Sequence, residues 1–105
     1  MNIPNKLDIF SHEVQVDWVS SEQHNTSGSY SEYYNTLNLH PLTEGLSESA
    51  QAETFLHEIL ECINAKLDLG LKHYQISSIS TGLFHTIRNN NLDFRKVLND
   101  GRDNS

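Results

Sequence analysis

Cysteine is nearly absent from this chain of 105 residues, proline occurs twice, and bases are half as numerous as acids, seven against fourteen. The one cysteine, Cys62, cannot close an internal disulfide, which excludes a disulfide-built scaffold and fits a reducing compartment. No apolar run approaches the ~18 to 20 residues that a membrane span requires. The opening residues Met1-Asn2-Ile3-Pro4-Asn5-Lys6 have neither a basic region nor an apolar one, so export is not expected and the cytoplasm is the expected location. Lys6 is the only base in residues 1–65, where ten acids give a balance of -9; residues 66–105 hold six bases and four acids, giving +2. Phosphate contacts supply most of the affinity for nucleic acid, so an acidic first half argues against direct nucleic-acid binding. It leaves room for a bound cation or for a partner with a basic surface.

What is present reads as one small domain over residues 1–99 with a modest core, followed by a flexible tail at 100–105. A two-domain enzyme with a deep cleft is excluded by length. Hydrophobic content of 36% and a mean hydropathy of -0.54 describe a water-soluble chain. Lys6 to Phe10 and Val14 to Trp18 each alternate apolar with polar, the pattern of a β-hairpin with one buried face. Ser20 to Ser29 has no periodicity and reads as a surface loop. Asn35 to His40 alternates again, with Leu37 and Leu39 expected to face the core.

Pro41 ends that strand, and Ser47 or Ser49 is placed to cap a helix. From about Ser49 to Leu67, Phe55, Leu56, Ile59, Leu60, Ile63 and Leu67 recur at spacings of three and four, as on a core-facing helix. Gly70 breaks it. A second helix is expected from His73 or Tyr74 to Arg88, with Ile76, Ile79, Leu83 and Ile87 as its stripe and Asn89 to Asn91 as its stop. Leu92 to Leu98 is a candidate for a further short helical piece. The order β, β, β, α, α makes this an α+β fold: a small antiparallel or mixed sheet of about three strands followed by two helices.

The chemistry concentrates in Thr54-Phe55-Leu56-His57-Glu58-Ile59-Leu60-Glu61-Cys62-Ile63-Asn64. His57-Glu58-x-x-Glu61 is a variant of the H-E-x-x-H zinc helix with Glu in the place of the second His. Residues four apart project from one helical face about 6 Å apart and can share a metal ion. Two ligands do not make a tight site, and a catalytic zinc takes three protein ligands plus water. His73, just beyond the Gly70 break, is the third candidate, and His85 is the reserve. Glu58 is the candidate general base, able to take a proton from water and pass it to a leaving amine.

Against this stands the bland alternative that a His-Glu pair arises by chance and Glu61 is an ordinary solvated carboxylate. The apolar setting of His57 weighs for the metal, because an imidazole and carboxylate buried without partners are costly. Cys62 lies about 100° from Glu61 around the helix and reads as a small buried apolar residue. His12, His24 and His40 read as structural or exposed, and Trp18, Tyr30, Tyr33 and Tyr34 as core and rim aromatics. A peptide could be aligned by strand addition along Leu37 to His40, were that the edge strand beside the helix.

The same run, followed by Leu69-Gly70-Leu71-Lys72-His73, Ile76, Thr81-Gly82-Leu83-Phe84 and Asn90-Asn91-Leu92-Asp93-Phe94, resembles small zincin-like proteins of phages and prophages in Gram-positive bacteria. The resemblance spans nearly the whole chain. It implies a minimal zincin fold and a metallopeptidase-like hydrolase with Zn2+, and carries over His57, Glu58 and Glu61 as motif positions, with His73 matching a recurring His of the second helix. Glu61 departs from the better-known pattern: a carboxylate makes the site more anionic, so that zinc there is a weaker Lewis acid. Three readings therefore stand beside one another. They are a zinc peptidase acting on a peptide or protein, a non-catalytic zincin-fold binder of a host protein, and an acidic inhibitor mimicking nucleic acid.

Overall fold

The structure, a computed structural model, describes residues 2–19, 28–41 and 47–96, with Lys96 described by its backbone alone. The hairpin is there: β1 (Lys6–Ile9) and β2 (His12–Trp18) pair antiparallel with Leu7 opposite Val14 and Ile9 opposite His12. Phe10 and Ser11 form the turn with φ of 54° and 67°, both in the left-handed region, as a tight hairpin turn of matching twist requires. Asp8 Oδ1 accepts the Ser11 N–H at 2.8 Å and secures it.

The sheet has four strands rather than about three. β3 (Gly28–Ser31) pairs antiparallel with β4 (Thr36–Leu39), which in turn pairs parallel with β2, giving the order β1-β2-β4-β3. Gly28 and Ser29, expected in a loop, open β3; residues 20–27 lie outside those described. β3 carries no alternation of its own and is held by its ladder to β4 and by close approach to the helix above it. A Cβ on Gly28 would stand 2.7 Å from Thr54 Cγ2 and 3.0 Å from the Asn38 carbonyl oxygen, so only glycine lets the strand lie there. The condition for strand addition along Leu37 to His40, that it be the edge strand, is not met. β4 is interior, flanked on both sides, and β3 is the edge beside the helix.

α1 (Glu48–Leu67) begins at Ser47, whose side chain accepts the Ala50 N–H, and ends at Asp68 in the left-handed region. Its buried line is Gln51, Phe55, Glu58 and Cys62. With Ile9, Val14, Val16, Leu37 and Leu39 from the sheet, Phe55 and Cys62 form the core, and Ile59 and Ile63 pack against it. Each such aliphatic side chain removed from water contributes roughly 1.5–3 kcal/mol. Cys62 is fully buried and free, as its apolar setting suggested.

α2 (His73–Asn90) packs on α1 and not broadly on the sheet. That changes its stripe: Ile76 and Ser80 are buried, whereas Ile79 and Leu83, expected to face a core, are each 41% exposed. A helix with one neighbour buries a narrower line than a helix wedged into a core. Leu67 is likewise exposed at the end of α1. Asn91, left-handed, caps α2 through its N–H to the Ile87 carbonyl, and Phe94–Lys96 adds one 3-10 turn. The expected tail at 100–105 lies outside the described residues. No helix among the described residues is long and apolar enough to cross a membrane.

Candidate metal centre

The connection between the helices decides where His73 falls. Asp68 and Gly70, both left-handed, turn the chain. The Asn64 side chain then grips the Leu71 backbone from both sides, donating from Nδ2 to its carbonyl at 3.2 Å and accepting its N–H at Oδ1 at 2.9 Å. The Lys72 N–H donates to Gln75 Oε1 at 2.8 Å and starts α2. His73, the first residue of α2, is thereby folded back over the face of α1 that carries His57 and Glu61. Asn64 was not legible as a site residue, since only the closed turn reveals what its amide holds.

The three expected ligands converge. Glu61 Oε2 lies 3.2 Å from His57 Nε2 and 3.2 Å from His73 Nδ1, and one donor atom from each residue falls within 4.8 Å of the others. The two rings stand 5.0 Å apart, centroid to centroid, at 60°. Donors around a tetrahedral zinc at 2.0–2.1 Å are roughly 3.3 Å from one another, so the Glu61 distances already match and a modest closing of the two imidazoles completes the set. Two imidazole nitrogens and one carboxylate oxygen are the donor types of an open, three-ligand zinc site. The three residues could therefore hold a metal ion between them. The cluster is open to water on the side of His73, whose side chain is 77% exposed against 14% for His57.

Glu58 sits one residue round the helix from His57, on the sheet-facing line between Phe55 and Cys62. It is buried, and burial first, then the charge of Glu61, pushes its carboxyl from about 4.5 up to about 7. A carboxyl in that range exchanges protons readily at neutral pH. Beside it opens a cavity of about 420 Å³ between α1, α2 and the start of β3, which His57, Glu58 and His73 line.

His85 does not join the centre: it is exposed and set edge-on against Phe84. His12 is exposed, His40 is buried just past β4, and His24 lies outside the described residues. Trp18, Tyr33 and Tyr34 are exposed rim aromatics, and Tyr30 is half-buried with its hydroxyl donating to Asn35 Oδ1.

A wider pattern on this seam went unread in the sequence. Ser49, Glu53, His57 and Glu61 recur every four residues on α1, and His73, Ser77 and Thr81 do so on α2. Three side-chain hydrogen bonds cross the seam in antiparallel order: Glu61 with His73, Glu53 with Thr81, and Ser49 with Arg88, which lies beyond the α2 series. The four-residue spacing of the polar positions was the available signal, masked by the apolar period that runs through the same helix. Compared with models of protein families, with curated proteins and with solved structures, the chain matches none.

Proposed function

We propose that this protein is a zinc-dependent hydrolase of the metallopeptidase kind, with His57, Glu61 and His73 as ligands and Glu58 as general base. The observation that carries the reading is that Glu61 meets both imidazoles from two helices at 3.2 Å, beside a cavity lined by a buried carboxyl. Zinc in such a setting supplies Lewis acidity, lowering the pKa of water from 15.7 to about 7 and polarising a carbonyl. Glu58 supplies the proton relay: its raised pKa suits it to accept a proton near neutrality and to return it to the departing amine. His57, held on the less exposed side of the cluster, fixes the centre against α1. β3, the outermost strand beside β4 among the described residues, rather than β4 itself, offers backbone groups with which an extended peptide could pair.

The test is Glu58→Gln in the zinc-loaded protein against a mixed peptide library. Retained zinc with hydrolysis reduced at least about 100-fold supports the assignment, in line with the usual worth of a general base. A parent protein that takes up no stoichiometric metal, or a fully active Glu58→Gln, sinks it.

One observation favours a second reading, a non-catalytic binder of a host protein. Tyr74, Ile79 and Leu83 are exposed on α2, which among the described residues has α1 alone as a broad neighbour. In that case Glu58→Gln retains full function, and Ile79→Ser with Leu83→Ser abolishes partner binding while zinc uptake is unchanged.

A further inference from the structure

We infer that the cavity between α1 and α2 is a subsite for a cationic side chain of lysine or arginine type, selected by Glu53. The inference rests on the hydrolase reading, since it takes the occupant of the cavity to be part of the substrate. The walls set the chemistry. Thr54, Ser77, Ser80 and Thr81 contribute hydroxyls, Glu53 and Glu58 contribute carboxyls, and the remaining lining residues are the two ligand histidines, Ala50 and Gly28. Among the described residues no lysine, arginine or large apolar side chain lines it, and a cation entering it meets hydroxyl acceptors and the negative charge of the carboxyls.

Glu53 is the selective group because of its position and its restraint. It lies one helical turn before His57 on the same face, about 6 Å along the axis. It stands outside the ligand cluster. Thr81 Oγ1 donates to its Oε2 at 2.6 Å from across the seam and holds the carboxylate toward the cavity. Among the described residues no base forms an ion pair with it, and Arg88 on α2 donates to Ser49 and lies over the Phe84 ring. The extended stem of lysine or arginine carries its charge roughly 6 Å from the backbone, which spans the step from a carbonyl at His57 to the Glu53 carboxylate.

The experiment titrates the zinc-loaded parent and its Glu53→Gln variant with Nα-acetyl-arginine amide and with the uncharged, isosteric Nα-acetyl-citrulline amide, followed by amide chemical shifts at low ionic strength. The arginine compound is expected to bind at least about 10-fold more tightly, to shift Glu53, Ser77 and Thr81, and to weaken as salt is added. Glu53→Gln is expected to erase the preference with zinc content and circular dichroism unchanged. Equal binding of the two compounds overturns the inference, as does a preference that survives Glu53→Gln or a loss of zinc in that variant. Hydrolysis is read separately with the peptide library. An arginine preference without any cleavage rejects the hydrolase and keeps the subsite, and cleavage indifferent to arginine does the reverse.

Discussion

The two long faces of α1 are built from opposite materials. Toward the sheet it presents Phe55, Ile59, Cys62 and Ile63 to Val14, Val16, Leu37 and Leu39, a closed apolar layer. Toward α2 it presents Ser49, Glu53 and Glu61, each met by a hydrogen-bonding partner across the seam, and His57, which lies against Glu61 of its own helix and beside the His73 ring; a cavity remains open there. The first arrangement removes apolar surface from water and stabilises a small domain. The second gains little from exposed polar pairs, which contribute about 1 kcal/mol or less each, and leaves its side chains free to meet something else. Glu58 stands where the two faces meet: it lies on the sheet-facing line and yet borders the cavity. Ile76 qualifies the contrast, being buried on α2 outside the sheet-side core.

The largest expected effect comes from breaking the apolar side. Leu37→Ala, in the interior strand at 0% exposure, should cost about 2–5 kcal/mol in a urea unfolding experiment. A cost below about 1 kcal/mol would mean that the sheet side is not what holds the fold.

Next comes the residue at the junction. A carboxyl whose pKa is raised on folding favours the native state while it is protonated, below its unfolded value near 4.5, and the advantage is lost as pH rises through about 7. In the metal-free protein, Glu58→Gln should therefore be more stable than the parent by about 1–2 kcal/mol at pH 8, with the gap closing toward pH 4.5. Unfolding midpoints across that range decide it, and a parent that is the more stable of the two at pH 8 would remove the buried-carboxylate picture.

The smallest effect is expected on the seam. Thr81→Val breaks the rung to Glu53 and should shift stability by less than about 1 kcal/mol, because the pair is exposed. A loss of about 2 kcal/mol or more in thermal unfolding would show that the polar ladder is structural after all.

The same contrast explains what could be read in the sequence. The hairpin, β4 and both helices announce themselves because one face of each is apolar, and His57, Glu61 and His73 were legible from helical spacing and the Gly70 break. β3 was not, because Gly28-Ser29-Tyr30-Ser31 has no alternation and owes its strand to pairing with β4 and to the missing Cβ at Gly28. The interior place of β4 was hidden too, since strand order depends on a parallel pairing with β2 that local pattern does not encode. Ile79 and Leu83 misled because periodicity marks an apolar face but not whether anything covers it. The pairing of Glu53 with Thr81 was not legible either, because it depends on the register in which the closed turn at Asn64 sets the two helices.

The most direct measurement is zinc binding at equilibrium by the parent and by His73→Ala, the proposed ligand from across the seam. One zinc per parent chain, with affinity at least about 100-fold weaker in His73→Ala and the circular dichroism of the two alike, is the predicted result. A parent that binds no stoichiometric zinc, or a variant that binds it as tightly as the parent, would contradict the metal centre.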